Sequence, residues 1–271
     1  MSSVEELLNR LEVQPGGLVY LHTSFSRLRH LAETPRELLA GVLHYLGPDG
    51  TLVLPSFAWH LDPTQRPWKG YADYYHLRPP FDVRHTASNI GSVPECFRTW
   101  TGARRSADYW WSIAAVGPLA SVLTDDQHLI EHPFGPGSSF HRLWRSGAHI
   151  VGLGVSLNTT SLAPVVDYVL GARHPQQVFS ASPEAGVVID AQGHEIVSRA
   201  FWLLPDVVRT IKPSEVLTRS DGLGGRLHRA DEGDTIHFAY AFNDYMEHAL
   251  DLSTGSVRHG TPVPWLEQLN S

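Results

Sequence analysis

The sequence has a single cysteine, Cys96, among 271 residues. That excludes an intrachain disulfide framework and any zinc site built from several thiolates. Charged residues are also scarce, at 18%, below the ~25% usual for globular domains, which argues against a disordered chain. No window approaches the ~20 uninterrupted apolar residues of a membrane span. Lys and Arg form no run and the formal net charge is −7, which disfavours nucleic acid as a partner. The start, Met1-Ser2-Ser3-Val4-Glu5-Glu6, has neither the basic region nor the apolar core of a secretory signal. The expectation is a cytoplasmic chain, one domain over 1–271, long enough to bury a full core.

What is present alternates between helix and strand signals. Ser3-Val4-Glu5-Glu6 and Thr34-Pro35-Arg36-Glu37 are capping-box patterns, each followed by a leucine-rich apolar stripe. Leu18–Leu21, Thr51–Pro55 and His149–Val155 are short apolar runs with the length of buried strands. A strand–helix–strand order across 18–55 implies a parallel pair. Short helices are expected at Ser92–Trp100 and Phe140–Arg145, and a small-residue strand at Ser112–Gly117. Further helices are expected at Thr160–Leu170 and near Thr235–Leu250. Val187–Asp190, with a turn at Ala191–Gly193, reads as an antiparallel hairpin joining the same sheet. An insert at about 56–88 carries Trp59, Trp68, Tyr71, Tyr74, Tyr75 and Phe81 with no clear period, and reads equally as a folded lid over a site or as an aromatic excursion packed on the body.

Several motifs fail on inspection. His128-Leu129-Ile130-Glu131-His132 has zinc-peptidase spacing, but Pro133–Gly137 would end the helix that chemistry needs. Gly154-Val155-Ser156-Leu157-Asn158 lacks the second glycine of a nucleophile elbow. No phosphate loop or dinucleotide fingerprint is present, and Cys96 falls inside a helix as a core thiol. No metal is expected.

Read in order, the loops resemble the aminoglycoside 3-N-acetyltransferase family. His22-Thr23-Ser24-Phe25-Ser26 is similar to its His-Ser-Ser-Leu-Ser loop. Asp49–Phe57 is similar to its "dGTLvmPtf" segment. Phe81-Asp82, Thr86, Ser88 and Gly91 follow its "FDp…TpS…G" spacing. Arg105-Ser106 with Ser112–Gly117, then Phe134–Ser139, and then Leu153–Val155 continue the order. The resemblance implies a three-layer α/β/α sandwich around a mixed, mostly parallel sheet. It also implies an enzyme that takes acetyl-CoA or another acyl-CoA as co-substrate and transfers the acyl group directly to an amine. The co-substrate would meet His22, Thr23, Ser24, Phe25, Ser26, Pro55, Ser56, Arg105, Ser106 and Ser112. The family's "TSLHxxE" reads Thr160-Ser161-Leu162-Ala163-Pro164-Val165-Val166-Asp167 here, with Ala163 in the histidine's place. The second family histidine, in "RSxHP", is Asp108.

A proton acceptor must therefore come from elsewhere, and the candidates are His22, Asp108 and Asp167. The acceptor molecule is expected against Trp59, Trp68, Tyr74 and Tyr75 of the insert, whose slightly basic charge balance and aromatics suit a flat acceptor better than a polycation, and against Trp110. The leading expectation is an acyltransferase acting on a small non-aminoglycoside molecule, with homodimerisation left open. The alternatives are a same-fold cyclase, condensing enzyme or lyase, a true aminoglycoside acetyltransferase, and a non-catalytic binding module.

Overall fold

Ser3 Oγ accepts the Glu6 N–H at 3.1 Å and Glu6 Oε2 accepts the Ser3 N–H at 2.8 Å, so the capping box opens α1 (Val4–Arg10). The computed structural model describes residues 3–58, 80–171, 174, 177–204 and 212–254. β1 (Leu18–Thr23) leads to a 3-10 turn at Phe25–Arg27 and then to α2 (Pro35–Leu46). Thr34 Oγ1 caps α2 by accepting the Glu37 N–H at 3.2 Å, and Pro35 fills its first turn. Gly47, at φ +71°, ends it and sends the chain into β2 (Thr51–Pro55).

The end of the insert holds β3 (Phe81–Asp82), and beyond it come α3 (Ser92–Arg98), β4 (Arg104–Arg105), β5 (Ile113–Val116) and α4 (Ala120–Thr124). They are followed by α5 (Ser139–Arg145), β6 (His149–Leu153) and α6 (Ala163–Leu170). The last part holds β7 (Glu184–Ile189), β8 (Glu195–Ala200), α7 (Pro213–Gly225), β9 (His228–Arg229), β10 (His237–Ala241) and α8 (Phe242–Thr254).

Seven strands form one mixed sheet in the order β4-β5-β2-β1-β6-β10-β9. β1 runs parallel to both β2 and β6, whereas β5 and β10 flank this trio antiparallel. The parallel character is thus confined to the three central strands. Side chains alternate across β1. Val19 and Leu21 join Leu52, Leu54 and Val151 under α1, α2 and α3. Tyr20 joins Val53, Ile150, Phe238 and Tyr240 under α5, α6, α7 and α8. Helices on both faces of the sheet make the expected three layers.

Three expectations are corrected. The predicted hairpin does form, as β7 and β8, but it pairs with β3 in a separate three-stranded sheet. A hairpin signal specifies its own turn and leaves the neighbouring strand undetermined. The helix expected from Thr235 starts only at Phe242, because His237–Ala241 is the strand β10 between β6 and β9. Phe238 and Tyr240 face one core while Ala239 faces the other, and a segment apolar on both sides carries no periodicity that separates helix from strand. The helix expected from Thr160 starts at Ala163, with Pro164 in its first turn.

The insert's core, residues 59–79, lies outside the described residues. Its exit is built by local bonds. The Asp82 N–H donates to Thr86 Oγ1 at 2.8 Å, and Asp82 Oδ1 accepts the N–H groups of Arg84 and His85. Among the described residues, no helix is long and apolar enough to cross a membrane.

Candidate active site

The parallel strands β1, β2 and β6 all end on one side of the sheet, where α/β folds of this kind bind ligands. There the loops leave a cavity of about 380 Å³, large enough for a small organic group. β1 contributes Leu21, His22 and Thr23, the end of β2 contributes Pro55 and Phe57, and the loop before α6 contributes Asn158, Thr159, Thr160 and Ser161. Trp111, Ile90, Pro94, Pro164 and Leu203 complete the wall.

His22 is the ionisable group on this wall. It pairs in register with Gly152 on β6, and its ring meets Tyr20 edge to face at 5.0 Å. Its Nε2 is buried and has no hydrogen-bond partner among the described residues. Burial pushes its pKa down to about 4, so the imidazole is neutral at pH 7. Beneath the wall, Tyr20 faces Ser161 and Tyr240 faces Thr160, and burial holds both phenols well above their ordinary pKa. No carboxylate lines the cavity among the described residues.

The predicted site residues divide into those at the cavity and those beneath it. His22, Thr23 and Pro55 line it. Ser24, Phe25 and Ser26 continue the same loop, with the Ser24 N–H donating to the Leu153 carbonyl and Ser24 Oγ 3.4 Å from Ser26 Oγ. Ser56, Ser106, Ser112 and Arg105 form a buried polar lattice under β2 and β5. Ser112 Oγ donates to the Ser56 carbonyl at 2.7 Å, and Ser106 Oγ accepts the Ile113 N–H at 2.9 Å. Arg105 donates to the carbonyls of Thr86 and Ser56, each at 2.5 Å, and lies 4.4 Å over the Phe81 ring.

Asp108 and Asp167 do not line this cavity. Asp108 Oδ1 accepts the N–H groups of Trp110 and Trp111, each at 2.8 Å, and burial raises its pKa against the pull of those two bonds. Asp167 is buried on α6 with its Oδ1 3.7 Å from Nε2 of His174. Trp110 packs edge-on against Tyr109 in the core, and it is the neighbouring Trp111 that reaches the cavity, flanked by Phe57 and Phe134. Trp59, Trp68, Tyr74 and Tyr75 lie outside the described residues.

Sequence reasoning missed Asn158, Thr159 and Leu203 as wall residues, and Tyr20 and Tyr240 beneath it. Thr160 and Ser161 stood in a recognised motif without being read as wall. His132, from the rejected zinc spacing, packs against the rings of Tyr168 and Phe179 beyond a 3-10 turn, on no helix. Cys96 is half-buried against the core beneath α3.

Comparison with known proteins gives a consistent answer. The sequence profile described as aminoglycoside 3-N-acetyltransferase matches residues 20–206. Aminoglycoside N(3)-acetyltransferase IX of Micromonospora chalcea is 28% identical over 257 residues, covering 88% of this chain and 91% of that protein. Aminoglycoside N(3)-acetyltransferase III of a Salmonella species is 30% identical over 189 residues, covering 68% of this chain and 65% of that protein. Among solved structures, AAC-IIIb with CoASH shares the fold at TM-score 0.75 and 20% identity, over 96% of this chain and 100% of that one. AAC-VIa bound to sisomicin does so at 0.71 and 20%, over 94% and 98%.

Proposed function

Because the chain belongs to the aminoglycoside 3-N-acetyltransferase family, we propose that it moves an acyl group from acyl-CoA to a weakly basic nitrogen on a small molecule that is not an aminoglycoside. The observation that carries this reading is the composition of the cavity wall. It offers hydroxyls, an amide and one neutral imidazole, and no carboxylate among the described residues. An aminoglycoside brings several ammonium groups, and each one desolvated without a carboxylate partner costs several kcal/mol, of order 2–5.

The proton acceptor is His22. A base whose conjugate acid lies near 4 is badly matched to an alkylammonium and well matched to a nitrogen that is already neutral at pH 7. Ala163, where the family resemblance puts a histidine, opens α6 beside the wall residue Pro164 and supplies no second base. The hydroxyls of Thr23, Ser24 and Ser26 suit an acyl-CoA entering from the β1 end, and the unpartnered Nε2 of His22 is left for the acceptor's proton. Pro55, Phe57 and Trp111 suit its apolar acyl end.

The acceptor nitrogen attacks the thioester carbon, and the oxyanion develops against the Thr160 and Ser161 hydroxyls. The C–S bond then breaks, and the proton lost by nitrogen to His22 passes to the leaving CoA thiolate. The test is thiol release from acetyl-CoA with arylamine and hydroxylamine acceptors against gentamicin-type acceptors, with product mass as confirmation. Weakly basic acceptors are expected to be favoured by about 10²-fold or more in kcat/KM. A preference for the aminoglycosides overturns the substrate assignment. Failure of acetyl-CoA and CoA to bind in calorimetry overturns the transfer itself.

A further inference from the structure

Away from the cavity, on the α1–α2 side of the sheet, the loop after β1 meets the turn between β9 and β10 and brings two imidazoles and a carboxylate together. His30 leaves the loop after β1, Glu232 lies between β9 and β10, and His237 opens β10. His30 Nε2 and Glu232 Oε2 are 2.8 Å apart, and the rings of His30 and His237 meet edgewise at 6.5 Å. One donor atom from each of the three residues lies within 4.8 Å of the others. His237 is fully buried, and neither of its ring nitrogens has a hydrogen-bond partner among the described residues. A buried imidazole with both nitrogens unmatched is costly, and native structures rarely keep one without an ion, water or function to account for it.

We propose that His30, Glu232 and His237 bind a divalent transition-metal ion, Zn²⁺ by the chemistry of the donors. Two imidazoles and a carboxylate are a common protein set for zinc, with a water completing the tetrahedron. His–metal bonds of about 2.0–2.1 Å require the three donors to draw together by side-chain rotation. The half-exposed His30 supplies both that freedom and the route of entry. Arg10 donates to Glu232 Oε1 at 2.8 Å, which orients the carboxylate, and Oε2 would exchange its contact with His30 Nε2 for the ion. Asp231, next in the chain, is engaged by Arg229. Bound metal would tie the loop carrying Ser24 and Ser26 to β10. No spacing motif betrays such a site, because His30 lies 202 residues before Glu232.

The test uses the full chain stripped with a chelator and titrated with Co²⁺ and with Zn²⁺ alone. One equivalent is expected to bind with a Kd of about 1 μM or below, with the visible absorption of tetrahedral Co²⁺ and a higher melting temperature with Zn²⁺. His30→Ala and His237→Phe should each weaken binding by at least about 10-fold. His30→Ala removes a half-exposed side chain, so its circular dichroism spectrum should match the parent and its result decides the matter even if His237→Phe does not fold. The absence of saturable binding up to ~100 μM metal overturns the proposal. So does binding that His30→Ala leaves unchanged, since the chain holds 16 histidines.

Discussion

The Phe238 ring fills the space where a side chain on Gly152 would begin: a Cβ there would lie 2.2 Å from Phe238 Cζ. The two residues face each other across the β6–β10 ladder, and Phe238 is itself buried and stacked on Tyr240 at 5.9 Å. Gly152→Ala is therefore expected to destabilise by about 1–3 kcal/mol or more through overpacking. Thermal denaturation measures it, and Phe238→Leu in the same chain should recover part of the loss. Additive effects of the two changes would refute the contact as the cause.

His22 stands at register with Gly152 and carries the proposed proton transfer. His22→Gln should lower kcat by about 10²–10⁴-fold while the affinity for acyl-CoA changes little. Steady-state kinetics with calorimetry of CoA binding separates the two. Full kcat in the variant would move the base elsewhere, with Asp167 and its partner His174 the next pair to replace.

Asp108 offers a case in which charge and hydrogen bonding part company. Burial raises its pKa, so the folded state favours the protonated form and stability falls as pH rises past the ordinary carboxyl range. Asn keeps an oxygen for the N–H groups of Trp110 and Trp111 without the charge. Asp108→Asn should melt no lower than the parent at pH 8, while Asp108→Ala loses about 1–3 kcal/mol. If Asn proves as damaging as Ala, the charge itself is needed.

Arg105 knits β4 to both ends of the insert through three carbonyls and the Phe81 ring. Lys cannot reproduce that planar fork. Arg105→Lys should cost stability, and Arg105→Ala about 2–4 kcal/mol, because carbonyls are left buried without donors. Denaturant midpoints test this. A loss of acyl-CoA affinity with no loss of stability would instead make Arg105 a ligand contact.

Acid should weaken the fold from the ordinary imidazole range downward, above the range in which an ordinary carboxylate titrates. Burial pushes His22 and His132 down to about 4. Between the ordinary 6.5 and that value the unfolded chain binds protons that the folded chain refuses, so stability drops as pH falls through this window. The slope for the buried His22 is about 1.4 kcal/mol per pH unit. A His22→Gln, His132→Gln double variant should flatten the melting-temperature profile from pH 6.5 to 4.5, and an unaltered profile would contradict the assignment.

Much of the frame was legible in residue order. Ser3 closed the full capping box, Thr34 capped its helix although Glu37 accepts the Glu33 N–H in place of the Thr34 N–H, and Leu18–Leu21 and Thr51–Pro55 became parallel neighbours, because caps and short apolar runs are local signals. The site was legible only in part. His22, Thr23 and Pro55 were found at the cavity because they sit in recognisable loops at strand ends. Ser106, Ser112 and Arg105 belong to equally recognisable loops, yet their bonds go to backbone groups under the sheet. A motif records which residues recur together and does not say whether they face a ligand or the frame that holds it.

The residue order alone determined the family, the alternation of helix and strand, and, with one cysteine, the lack of an intrachain disulfide, since each depends on identity and near neighbours. Tertiary structure decided the rest. It made His237–Ala241 a strand, assigned the hairpin to a second sheet, moved the cavity contact from Trp110 to Trp111, and brought His30, Glu232 and His237 to within 4.8 Å. These are contacts between segments far apart in the chain, and their energy comes from burial and pairing that no local window of sequence contains.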